Sequence, residues 1–103
     1  MKKSKFNELI KNPDKLVLID FYADWCGPCK SMEPTIKKLA KELSSKLAIY
    51  KVNIDKNPAL ATDLGVKSIP SFLLYRNGKM VWRQVGGQTY HQLKSNLEVF
   101  TNR

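Results

Sequence analysis

The only two cysteines of the chain stand three residues apart, in Trp25-Cys26-Gly27-Pro28-Cys29. A loop that short cannot staple a small secreted domain, so the pair reads as redox chemistry or as half of a metal site. A zinc site needs a second half, and none is offered. The single histidine, His91, lies far along the chain on a face read as solvated. Thiol–disulfide exchange is therefore the favoured reading. The pair also joins an apolar run to a helical pattern, which places Cys26 where unpaired helix N–H groups favour a thiolate and lower its pKa. Cys26 is the expected nucleophile. Cys29, one turn later, on the same side and expected to be more deeply placed, is the expected resolving thiol. Gly27 permits the tight turn into the helix, and Pro28 is tolerated in its first turn because its missing N–H has no partner to lose.

The elements that must hold this pair can be read from periodicity. Leu16 to Tyr22 is nearly continuous apolar, as expected of a strand covered on both faces, with Asp20 the one interruption. Burial there disfavours the charged carboxylate and raises its pKa, so Asp20 could accept a proton near neutral pH. After the cysteines, Ile36, Leu39, Ala40 and Leu43 form a helical stripe, predicting one helix from about Cys29 to Leu43 with a kink at Pro34. Leu47 to Ile54 then reads as a second strand, parallel to the first across this crossover.

Phe6, Leu9 and Ile10 predict a short helix ahead of the first strand, ended by Asn12-Pro13-Asp14. Asn57-Pro58 opens another, through about Leu64, with Gly65 in the position of a left-handed cap. Asn77-Gly78 between Ser71–Arg76 and Lys79–Val85 predicts a hairpin. Thr89 and Gln92 form a capping-box pattern ahead of Tyr90, Leu93, Leu97 and Phe100 on one helical face. The sum is an α/β fold, a mixed central sheet of about four strands with helices on both faces, in one domain spanning residues 1–103.

A chain of 103 residues can bury a core without disulfides or metal. The N-terminus begins with lysines but continues with Asn, Glu, Pro and Asp rather than an apolar run, and no stretch is long enough to span a bilayer, so a cytoplasmic location without membrane association is expected. The net charge of +9 comes from dispersed lysines, and Lys37, Lys38 and Lys41 fall on the polar face of a helix. That pattern lacks the arginine and aromatic interleaving of a nucleic-acid platform, so no nucleic-acid partner is expected.

Over Leu16 to Phe100 the chain resembles the thioredoxin family. The resemblance rests on Asp20-Phe21-Tyr22-Ala23-Asp24-Trp25-Cys26-Gly27-Pro28-Cys29-Lys30, Pro34, Lys51-Val52-Asn53-Ile54-Asp55, Ile69-Pro70-Ser71-Phe72, Asn77-Gly78 and Gly86. It implies the thioredoxin fold and a protein-disulfide reductase whose Cys26–Cys29 disulfide is its only redox group, with no bound cofactor or metal. A thioredoxin reductase would recycle it. By the same resemblance Asp20 assists deprotonation of Cys29, with Lys51 as its charge partner. The Ile69-Pro70 bond would be cis and face the cysteines. A groove of Trp25, Gly27, Pro28, Ile69, Pro70 and Gly86 would then bind an extended substrate peptide by strand addition at Ile69. Family members commonly begin with a strand, whereas only Met1 to Lys5 precede the first predicted helix, so the N-terminal edge strand is expected to be absent or vestigial. Tyr22 stands where many bacterial members carry Trp. A monomer is expected.

Overall fold

A computed structural model describes residues 1–102. The expected domain end at Arg103 lies outside them. In chain order the elements are α1 (Lys3–Ile10), β1 (Leu16–Tyr22), α2 (Gly27–Ser31), α3 (Glu33–Glu42), β2 (Leu47–Asn53), α4 (Pro58–Asp63), β3 (Ser71–Arg76), β4 (Lys79–Val85) and α5 (Tyr90–Thr101). They form one mixed sheet in the order β2-β1-β3-β4 with helices against it. β1 pairs with β2 in parallel, and β3 is antiparallel to both β1 and β4.

Strand alternation divides the core into two layers. Leu16, Leu18, Phe72 and Leu74 point to the face covered by Ile36 and Leu39 of α3 and by Leu93 and Leu97 of α5. Val17, Ile19, Phe21, Leu73 and Tyr75 point to the other, covered by Phe6 and Ile10 of α1 and Leu60 of α4. β1 lies inside the sheet with helices on both faces, which is why its apolar run lacks alternation. Among the described residues no strand precedes α1, and β2 forms one edge of the sheet.

The helix expected from Cys29 to Leu43 is instead two helices meeting at Met32. Pro34 has no N–H to bond the carbonyl of Lys30, so the ladder breaks one turn upstream. Met32 N–H there bifurcates to the carbonyls of Pro28 and Cys29, 3.2 Å each. The hairpin forms as its turn residues require: Asn77 and Gly78 take φ of 47° and 86°. The capping box at α5 is complete, with Thr89 Oγ1 accepting from Gln92 N–H at 3.1 Å and Gln92 Oε1 accepting from Thr89 N–H at 3.0 Å. Thr89→Ala removes the first of these and is expected to cost about 1 kcal/mol. The urea midpoint should drop with an unchanged slope.

Candidate active site

The end of β1 and the start of α2 place the cysteines. Cys26 is the N-cap of α2, in extended conformation, and its Sγ accepts the Cys29 N–H at 3.2 Å. The two sulfurs are joined as a disulfide, with Cα atoms 5.3 Å apart. When the disulfide opens, a sulfur held this way receives a backbone N–H at the positive end of a helix, which favours its thiolate. Burial does not separate the two positions as the sequence reading expected. Cys26 is 4% exposed and Cys29 8%, so Cys29 is not the more deeply placed residue in the disulfide form. The asymmetry lies in the cap instead. In the disulfide form both cysteines pack with Ala23, Ile54, Tyr22 and Ile69.

Ile69 packs against this cluster and leads into a cis Ile69–Pro70 bond. Its own backbone N–H and C=O have no hydrogen-bond partner among the described residues. The Pro70 carbonyl accepts from Gly86 N–H at 2.8 Å, so the loop after β4 is tied to the loop before β3. Gly86 has φ +101° and open space where a side chain would stand. Glycine is needed there for the backbone, and its absence of a side chain leaves that backbone approachable. Gly27 likewise faces open space, and Pro28 and Trp25 are exposed, Trp25 to 68%. Beyond Pro28 the surface dips into an open groove of about 650 Å³ lined by Met32, Gly87, Gln88 and Thr89 among others.

Asp20 lies on β1, 5% exposed, with Oδ1 lacking any hydrogen-bond partner. Burial is the main force on it and pushes its pKa up to about 6; Lys51 opposes that shift and Glu33 adds to it. Lys51 is opposite Asp20 in the β1–β2 register. Its ammonium, however, pairs with Glu33 Oε1 at 3.7 Å and sits 4.3 Å from the centre of the Tyr22 ring. The structure thus brings every expected site residue to the same end of the sheet, but Lys51 makes its ion pair with Glu33.

Three contributors escaped the sequence reading. Glu33 carries no local signal, since its meeting with Lys51 joins α3 to β2. Asp55 accepts a hydrogen bond from Trp25 Nε1 at 2.8 Å and so fixes the ring; it was visible within Lys51-Val52-Asn53-Ile54-Asp55 but without a role. Gln88 is buried beside the groove, with Nε2 unpaired. Among the described residues no cluster of three or more His, Cys, Asp or Glu could hold a metal. Among them, too, no helix is long and apolar enough to cross a membrane.

Comparisons with known proteins agree with this geometry. The family model described as Thioredoxin matches residues 1–99. Thioredoxin 1 of Chlorobaculum tepidum is 40% identical over 91 residues, covering 88% of this chain and 90% of its own. Among solved structures, a mutant thioredoxin from Halobacterium salinarum superposes with a TM-score of 0.87 at 37% identity, covering 98% of this chain and 87% of that one. The oxidised form of mitochondrial thioredoxin 3 from Saccharomyces cerevisiae gives 0.85 at 32%, covering 94% and 89%. A disulfide capping a helix beside a cis-proline loop, on a sheet of this order, and likeness at this level over nearly all of the chain lead to one conclusion: the chain belongs to the thioredoxin family and is a protein-disulfide oxidoreductase acting through Cys26 and Cys29.

Proposed function

We propose that Cys26 is the attacking thiolate and Cys29 the resolving thiol of a reducing cycle. The Cys26 sulfur attacks a substrate disulfide, forming a mixed disulfide and releasing one substrate thiolate. Asp20 takes the Cys29 proton, relayed by water. Cys29 then attacks the Cys26 sulfur, the second substrate thiolate leaves, and the Cys26–Cys29 disulfide remains. Two electrons and two protons from a thioredoxin reductase restore the dithiol. The cap at Cys26, with its sulfur already accepting a helix N–H, is the single observation that carries this reading.

The groove of Trp25, Gly27, Pro28, Ile69, Pro70 and Gly86 receives the substrate as an extended segment. The unpaired backbone of Ile69 supports pairing by strand addition, which recognises main chain and so admits many sequences. Lys51 acts on Asp20 through charge. The chain works as one domain and as a monomer in the cytoplasm, with protein disulfides and the reductase as partners, without nucleic acid, membrane, metal or bound cofactor.

Iodoacetamide alkylation of the reduced protein tests the assignment. Cys26 is expected to react at least about tenfold faster than Cys29 at pH 7, because only its sulfur caps the helix. Mass spectrometry of the modified peptides reads both rates. Equal rates across pH 6 to 9 would reject the roles.

A further inference from the structure

Asp20, buried on β1, has one cation opposite it in the sheet, yet that cation is engaged elsewhere. Lys51 Nζ is 3.7 Å from Glu33 Oε1 and 4.3 Å from the Tyr22 ring centre, while Asp20 Oδ1 has no partner. We propose that Glu33 is a positioning residue: by pairing with Lys51, it keeps the ammonium off the carboxylate, so that Asp20 is left without a cation of its own. This rests on the reading of Asp20 as the proton acceptor for Cys29.

Each neighbour of Asp20 contributes to the balance. From β2 comes Lys51, from α3 Glu33, and from its own strand Tyr22. β3 places Phe72 opposite Asp20, and α5 supplies Leu93 and Leu97 to this layer, all apolar. The charge acting on Asp20 is therefore set by one cation and one anion, each on a different element. Lys51 and Glu33 are both part-exposed, at 39% and 47%, so as a stabilising contact their pair is worth little. Its effect is geometric. An ammonium brought to a poorly solvated carboxylate would favour the charged form strongly, and a carboxylate so held is a poor base. The Tyr22 ring offers the ammonium a second resting contact on the outer side. Glu33 also raises the proton affinity of Asp20 directly, in the same direction.

The oxidised protein isolates the effect, because neither sulfur then carries a proton and Asp20 titrates free of the thiols. Its carboxyl carbon can be followed by ¹³C NMR through the pH range. Glu33→Gln is expected to lower the Asp20 midpoint by about one pH unit, a tenfold loss of proton affinity, and Lys51→Met to raise it by a similar amount. Glu33→Gln placed on Lys51→Met should then move it by less than about half as much, because there is no ammonium left to reposition. An unmoved midpoint in Glu33→Gln would overturn the proposal, and so would a full-sized shift in the Lys51→Met background, which would reduce Glu33 to repulsion across space. The pH profile of disulfide reduction separates the underlying reading. If the profile follows the midpoint, Asp20 serves as acceptor and Glu33 sets its strength. If the midpoint moves as expected while the profile stays, the positioning stands and the role of Asp20 as acceptor fails.

Discussion

Cys29→Ser is expected to convert the protein into a trap, attacking substrate disulfides normally but holding the product as a mixed disulfide. Attack needs only the Cys26 thiolate at its helix cap, and the substitution leaves that cap in place, since the hydrogen bond to Cys26 Sγ comes from the backbone N–H of residue 29. Release needs a second sulfur within reach. Cys29 has its Cα 5.3 Å from that of Cys26, and a thiol held at such range acts at an effective concentration far above that of any thiol in solution. Losing it should slow release by at least about a thousandfold against millimolar external thiol. Adducts with a disulfide-bearing protein should accumulate on non-reducing electrophoresis and vanish on reduction. Cys26→Ser should trap little, because the remaining Cys29 lacks the cap. Adducts mainly with Cys26→Ser, or equally with both, would reverse or dissolve the assigned roles.

Much of this site was legible because its signals are local. Cys-Gly-Pro-Cys, Asn77-Gly78 and Thr89 with Gln92 each encode a backbone geometry within a few residues, and the structure shows the geometry each encodes. The uninterrupted apolar run of β1 likewise announced a strand with covers on both faces. Asp20 stood out only because it breaks that run. What stayed hidden depends on elements far apart in the chain. Glu33 meets Lys51 only after α3 packs over the β1–β2 ladder, and Trp25 meets Asp55 across 30 residues. Pro34 gave warning of a kink, but a break at Met32 depends on where the freed carbonyl leaves the ladder and how the next N–H is shared, which periodicity does not encode. The relative burial of the cysteines failed for a related reason: in the disulfide form both lie under the same cover of Ala23, Tyr22, Ile54 and Ile69, which come from separate segments of the chain.

Asp20→Asn is expected to make the oxidised protein more stable above neutral pH, by up to about 3 kcal/mol, while slowing disulfide reduction at the release step. The size follows from linkage. The folded protein raises this carboxyl from 3.8 to about 6, roughly two units at about 1.4 kcal/mol each. The sign follows from proton counting. Between pH 4 and 6 the folded state holds a proton on Asp20 that the unfolded chain has released, so stability from this group falls as pH rises through that window. Below pH 4 both states are protonated and nothing is lost; above about pH 7 both are ionised and the whole cost of a poorly solvated carboxylate is present. Asparagine keeps the shape but never charges, so that fall disappears. Its amide must still find partners in a pocket where Asp20 Oδ1 has none, which makes the stated gain an upper value. Urea unfolding of both oxidised proteins at pH 4 and pH 8 measures the difference. The gap should be small or reversed at pH 4 and largest at pH 8, and a variant less stable at pH 8 would show that the carboxylate is held by the fold. If Asp20 has the proposed role of proton acceptor, stability and catalysis should part company at this position, because the same desolvation that costs the fold raises its proton affinity toward neutral pH.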